Sequence, residues 1–342
     1  MRLSRRGFVS AAGACLWASA YPARSATPPE GAIDVTQFGA VGDGETDDTA
    51  ALQKAHAAGR PLYYPRAKHF YRITQRLPVT ADVTGDEAEI HCHQDGNIDT
   101  AIFFVNLTRD PIAIAGMVLD GEYFGGDAGE HGHGIFLGAA ENVTVRGNTI
   151  RNVYGDCVSV SEDKRRTGVC KNIVIENNRL ERARRCNVAI TGGDGVRIAG
   201  NSIYRPVTAL PTYHTAIDLE PDRNDVSLAR NVVIHDNTFD MEDKFLNLTK
   251  CNQTPTENVS IVGNVGRANV FLRINPSAKA GNIVVAKNVF AAPHPAGPAI
   301  VINGVDRLQI SGNTDKTPCM AGYRTLDIQA SRATMSDNLF CG

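Results

Sequence analysis

Two carboxylic acids stand two residues apart in Ala216-Ile217-Asp218-Leu219-Glu220, a segment in which apolar and acidic residues alternate. In an extended strand, side chains at i and i+2 share a face about 6–7 Å apart. Two carboxyls at that spacing can divide the work of glycosidic hydrolysis, one as a general acid with raised pKa and the other as an ionised base or nucleophile. The spacing lies between the retaining and inverting ranges and leaves the stereochemistry open. The same pair could instead hold calcium and acidify a uronate. Arg273, His214 or Lys250 would then abstract the proton, and elimination or C5-epimerisation would follow. Residues 204–214, just before Asp218, form the longest spacing between repeats and bring Tyr213 and His214 to its rim. Long connections of this kind tend to carry function. His131-Gly132-His133-Gly134 is a second tempting signal, but two histidines in a glycine-rich turn read first as a loop.

These residues need a scaffold, and the chain repeats itself to make one. NVVIHDNTF at 231–239 has sibling copies starting at 142, 172, 195, 258, 282, 307 and 332. Each copy carries an Asn six residues in, at Asn148, Asn178, Asn201, Asn237, Asn264, Asn288, Asn313 and Asn338, with spacings of 30, 23, 36, 27, 24, 25 and 25 residues. A period of this size marks a stacked repeat. Within a copy, apolar and polar residues alternate for about four positions and a second short apolar piece follows the Asn. Asn is expected to turn this corner by accepting a positive φ, with its amide bonding to the next coil. A further strand family precedes each copy: GIFL at 134, CVSV at 157, NVAI at 187, AIDL at 216, FLNL at 245, FLRI at 271, AIVI at 299 and TLDI at 325. Three short strands per turn predict an all-β fold, a single-stranded right-handed parallel β-helix. A β-sandwich would not keep one Asn in register eight times.

If the aliphatic positions of the preceding family face inward, the outward column is Phe136, Ser159, Ala189, Asp218, Asn247, Arg273, Val301 and Asp327. Two residues on, a second column holds Gly138, Ser161, Thr191, Glu220, Thr249, Asn275, Asn303 and Gln329. Coils about 4.8 Å apart would put Asn247 beside Asp218 and Arg273 about 10 Å away. Asp218, Glu220, Arg273 and His214 are the candidate catalytic residues. Asn187, Asn247, Lys250, Tyr213, Ser159 and Asn275 are the candidate substrate contacts.

Phe38 to Gln53, FGAVGDGETDDTAALQ, resembles the entry motif of rhamnogalacturonase, pectate-lyase-like and polygalacturonase proteins and of some phage tailspikes. The resemblance implies the right-handed parallel β-helix, with the active site on the strand before the Asn-bearing one. It also implies an acidic, pectin-like polysaccharide as substrate. Asp156-Cys157-Val158-Ser159-Val160 resembles the polygalacturonase aspartate strand with one of its two aspartates. The family's Asn-Thr-Asp and Arg-Ile-Lys motifs are missing from the expected places. Within the motif, Thr46 and Asp47 are expected to cap a helix from about Thr49 to Ala58 that covers the open end of the first coil. In Ile112 to Gly121, Gly116 is expected at the corner where Asn stands later.

Ser4-Arg5-Arg6-Gly7-Phe8-Val9 resembles the bacterial twin-arginine export signal and precedes a weakly apolar stretch and Ala18-Ser19-Ala20. Residues 1–26 therefore read as signal peptide and linker, and 27–342 as one β-helix domain with its cap at about 31–75 and coils at about 80–342. The partners implied are the twin-arginine translocase and a polysaccharide, and the destination is the periplasm or beyond. A net charge of -2 with 6% aromatic residues gives no reason to expect nucleic acid. No stretch after the first twenty residues is long and apolar enough to span a membrane. Seven cysteines remain beyond the signal, and Cys319 with Cys341 could staple the last coil. Their spacings form no zinc pattern, and no cofactor is expected outside the calcium-dependent reading.

Overall fold

The computed structural model describes residues 28–93, 101–126, 129–163, 165, 167–205, 215–221, 226–248, 256–275, 280–321 and 323–341. The proposed export segment, 1–26, lies outside them. The chain winds into an all-parallel solenoid of about 10 turns with one helix near its N-terminus. One turn shows the pattern. Cys186–Ile190, Gly193–Ala199 and Ser202–Arg205 succeed one another around the axis. Each then pairs in parallel with its counterpart one turn on, Thr215–Leu219, Ala229–His235 and Thr238–Met241. The aliphatic residues face inward as the alternation requires; Ile217, Leu219, Val232 and Ile234 are all buried. Inside, Phe239, Phe245, Phe271 and Phe290 stack with centroid spacings of 4.1, 5.4 and 4.5 Å.

The repeated asparagines form a buried ladder. Asn237 Nδ2 donates to Asn264 Oδ1 at 2.9 Å and to the Ile198 carbonyl at 3.0 Å, while its Oδ1 accepts from both the backbone N–H and the Nδ2 of Asn201, each at 2.9 Å. The same bonds recur from Asn148 to Asn338. The expected role for the asparagine backbone is corrected, however. The left-handed residue is the one before each ladder Asn: Gly147, Asn177, Gly200, Asp236, Gly263, Lys287, Gly312 and Asp337, with φ from 53 to 68°. The ladder Asn is kept for its amide, which needs both a donor and an acceptor on one planar group. Gly116 is corrected for the same reason. It pairs with this left-handed position at φ 70°, and Met117, whose N–H donates to Asn148 Oδ1 at 3.0 Å, occupies the ladder position. A Cβ on Gly116 would lie 2.3 Å from the Gly85 carbonyl oxygen.

A second, exposed asparagine series turns the corner at the start of the copies. Asn258 Nδ2 donates to Asn231 Oδ1 at 3.0 Å, and Asn282 Nδ2 to Asn258 Oδ1 at 2.9 Å.

The N-terminal helix runs Thr49–His56, two residues shorter than expected. Asp47 Oδ1 accepts the Thr49 N–H at 3.0 Å, whereas Asp48 turns back to hold the Val41 and Gly42 N–H groups at 2.6 and 3.1 Å. Leu52 and Ala55 join the core beneath the helix. At the other end a disulfide joins Cys319 to Cys341. Among the described residues no helix is long and apolar enough to cross a membrane.

Replacing Asn237 by Ala orphans the buried Asn201 donors as well as deleting two bonds, so it should cost about 2–4 kcal/mol in urea unfolding. Asn258→Ala, at the exposed corner, should cost only ~1 kcal/mol. Equal losses would show that the buried ladder carries no special share of the stability.

Candidate functional site

The outward column forms in the expected register. Ser159 pairs with Phe136 and Ala189, Ala189 with Asp218, Asp218 with Asn247, Asn247 with Arg273, Arg273 with Val301, and Val301 with Asp327. Asn247 Nδ2 donates to Asp218 Oδ1 at 3.2 Å. Alongside, Ser161 Oγ and Thr191 Oγ1 meet at 2.6 Å, the Glu220 N–H donates to the Ile190 carbonyl at 2.9 Å, and the Asn275 N–H donates to Leu248 at 3.1 Å. Ser159, Asp218, Asn247 and Arg273 thus share one column, with Glu220 and Asn275 beside it.

Two expectations are corrected. Asn187 is not on the outer face: it is 2% exposed, and its amide donates to the Leu180 carbonyl at 3.0 Å and contacts Cys157 Sγ at 3.8 Å. It stands two residues before Ala189, in a strand whose five residues are all buried. Asp218 does point away from the core, but it is 1% exposed rather than at an open rim. Burial, reinforced by the adjacent Glu220 carboxylate, pushes its pKa up to about 8 against the pull of the Asn247 amide. Asp218 is therefore a protonated acid at neutral pH. Glu220 is partly exposed, and Arg273 is exposed. Tyr213, His214 and Lys250 lie outside the described residues.

Beside these carboxyls the structure groups Asp156 and His133, which the sequence marked separately, with Arg185, which it did not mark as a site residue. Asp156 begins the Ser159 strand's approach and is fully buried. Its N–H donates to His133 Nδ1 at 3.1 Å, and its Oδ1 accepts the Cys186 N–H at 3.1 Å. The Arg185 Nη1 lies 4.0 Å from its other oxygen. Burial alone would raise the Asp156 pKa, but the His133 contact, the Arg185 charge and the Cys186 N–H outweigh it and hold the carboxyl ionised. The HGHG stretch is thus split, with His131 exposed and His133 packed under Asp156. The sequence signal was the aspartate at the head of the CVSV strand. What hid it was that its partners come from turns 23 and 29 residues away.

Glu89, His91 and Asp120 place ligand atoms within 4.8 Å of one another, the spacing of a metal site. They stand on a different flank, where His91, Asp120 and Arg151 are in register. Arg151 Nε donates to Asp120 Oδ2 at 2.7 Å, its Nη2 reaches Glu89, and Asn152 Nδ2 bonds both Asp120 oxygens. His91 spends both ring nitrogens on Glu122 and Glu89, each at 2.7 Å. A cation would have to displace Arg151, so the cluster is a closed ion network. Calcium at Asp218 would have to displace a proton held up to about pH 8.

Residues 128–315 match the family model described as right handed beta helix region. The pre-neck appendage protein of Bacillus phage B103 is 42% identical over 53 residues, which make up 16% of this chain and 6% of that protein, so the chain spans only a small part of this curated relative. The Streptococcus pneumoniae surface protein and adhesin PfbA superposes with a TM-score of 0.67 at 16% identity, covering 90% of this chain and 97% of that one. The tailspike protein gp49 of Acinetobacter baumannii bacteriophage Fri1, a capsular polysaccharide depolymerase, superposes with a TM-score of 0.60 at 16% identity, covering 92% and 63%. At such identities these likenesses establish the fold.

A carboxyl that titrates near 8 when folded and near 3.8 when unfolded binds its proton more tightly in the native state. Its contribution is complete below about pH 4 and is lost as pH rises towards 8, at up to ~1.4 kcal/mol per pH unit. Asp218→Asn, which mimics the neutral acid, should flatten the fall in unfolding free energy between about pH 5 and 8 relative to the parent protein. Parallel curves would mean that Asp218 is ionised in the fold.

Proposed function

Because the chain belongs to the right-handed β-helix family and carries a protonated aspartate on the outer column of one sheet, we propose that it is an exported enzyme that hydrolyses glycosidic bonds in an acidic polysaccharide. The observation that carries this reading is Asp218, buried and held neutral to about pH 8 next to a partly exposed carboxylate. That pairing of unlike carboxyl environments is what acid/base division requires. A capsular polysaccharide depolymerase built on the same fold makes the substrate class fit. The Arg5-Arg6 segment supports delivery through the twin-arginine translocase to the periplasm or beyond, leaving 27–342 as the working domain.

In this reaction Asp218 donates its proton to the glycosidic oxygen as the bond to the anomeric carbon breaks. Glu220 takes a proton from the water that attacks that carbon and releases it to solvent, and Asp218 is reprotonated from solvent. Asn247 holds the Asp218 carboxyl in one orientation, and Arg273, one coil beyond, faces the sugar chain. Because Asp218 is 1% exposed, the sugar must displace the atoms that shield the carboxyl in the free protein. Lyase or epimerase chemistry fits less well, since calcium would need Asp218 ionised. The same burial favours a second reading, a non-catalytic glycan-binding solenoid, and a surface adhesin shares the architecture.

The test is a panel of acidic and neutral polysaccharides assayed both for new reducing ends and for ultraviolet absorbance from unsaturated products. Reducing ends without absorbance are expected. Asp218→Asn and Glu220→Gln should each lower turnover by about 10²–10⁴-fold, with Asp218→Asn unfolding at a temperature no lower than the parent, as its relief from the pH-dependent loss requires. Full activity in Asp218→Asn would remove the assignment, and binding without turnover would select the glycan-binding reading.

A further inference from the structure

The most unusual cation on this sheet is Arg185, in the turn just before the strand Cys186–Ile190. Its side chain is only 22% exposed, yet its two ion pairs, with Glu130 and Asp156, are both long. Among the described residues its guanidinium makes one hydrogen bond, from Nη1 to the Glu130 carbonyl at 3.2 Å. The nearest carboxylate oxygens, on Glu130 and Asp156, lie 3.9 and 4.0 Å away, beyond hydrogen-bond reach. An arginine retained only to neutralise Asp156 would close a two-pronged pair at about 2.7–2.9 Å. The Asp156 carboxylate instead accepts the Cys186 N–H from the next turn, leaving most of the Arg185 fork unspent among the described residues.

The position is fixed from below. The Arg185 N–H donates to the Gly155 carbonyl at 3.2 Å. Its neighbour Arg184 donates to the Tyr154 carbonyl at 2.9 Å and lies over the Tyr154 ring at 4.3 Å. Arg185 also acts electrostatically on the proposed reaction centre: its charge is felt by Asp218, and Glu220 contributes to the field that keeps it protonated. A half-buried guanidinium with unused, coplanar donors beside a sugar-cleaving pair suits a planar oxyanion.

We infer that Arg185, braced by Asp156, is the specificity-determining residue that binds the carboxylate of a uronate unit next to the bond handled by Asp218 and Glu220. This inference rests on the polysaccharide reading and narrows it to one recognition contact. The fork approaches the carboxylate in its plane with two parallel N–H···O bonds. Asp156 keeps the guanidinium oriented without consuming those donors. A neutral sugar at the same position would leave them unsatisfied and partly desolvated, which gives discrimination in both directions.

The experiment measures retardation of the full-length protein in affinity electrophoresis. The gels contain polygalacturonate, alginate or hyaluronan, or the same polymers with their carboxyl groups reduced to hydroxymethyl. The parent protein should bind at least one acidic polymer about tenfold more tightly than its reduced form. Arg185→Gln should lose that preference by weakening on the acidic polymer alone, and Arg185→Lys, which keeps the charge but not the fork, should recover only part of it. Should Arg185→Gln fail to fold, the Arg185→Lys result and the parent's own preference still decide. A preference undiminished in Arg185→Gln or fully kept in Arg185→Lys overturns the inference. So does equal or tighter binding of the reduced polymers, with the polysaccharide reading left standing. Retardation by none of the six polymers overturns the inference and counts against the polysaccharide reading as well.

Discussion

The amide of a buried asparagine must satisfy two donors and one acceptor away from water, and in this solenoid it does so by bonding to the same residue one turn above and one below. Each ladder Asn also reaches a carbonyl across the corner, as Asn237 does to Ile198 and Asn264 to Ile234. The corner can therefore be buried without orphaned polar groups, which would cost about 1–3 kcal/mol each. Because every rung has the same length, the turns cannot slip relative to one another. The left-handed residue beside each rung makes the bend possible. It is drawn from Gly, Asn, Asp and Lys, whereas from Asn148 to Asn338 the rung itself is always Asn.

That fixed register is what converts a one-dimensional sequence into columns. Two columns with similar composition then behave differently. On the flank carrying His91, Asp120 and Arg151, the Asp120 carboxylate meets the Arg151 guanidinium of the next rung at 2.7 Å, and the two neutralise one another. On the sheet carrying Asp218 the rung above holds Ala189 and the rung below Asn247, so among the described residues no cation stands on an adjacent rung of its column. An unpaired buried carboxyl in such a place gives up its charge instead, and Asp218 keeps its proton. Arg185 and Asp156 sit near the boundary between these two behaviours, close enough to compensate in charge but not closed into a pair.

Much of this was legible from residue order. The Asn spacing and the alternation within each copy sufficed to predict the solenoid, the three-strand turn and the outer column from Phe136 to Asp327. They misplaced Gly116 by one residue, because a glycine and an asparagine are adjacent in half of the copies and either could be the bent one. They also placed Asn187 outside, whereas it is buried with its amide spent on the Leu180 carbonyl, a contact that alternation along its own strand does not encode.

Periodicity alone determined which residues stack on which, since a repeat that keeps one side chain in step keeps all of them in step. Tertiary structure alone decided how wet each stacked residue is and which distant turn lies against it. The near-complete burial of Asp218 and the approach of Arg185 to Asp156 are set by what packs around them. No pattern of alternation encodes that covering, because the solvation of a side chain is a property of everything packed around it.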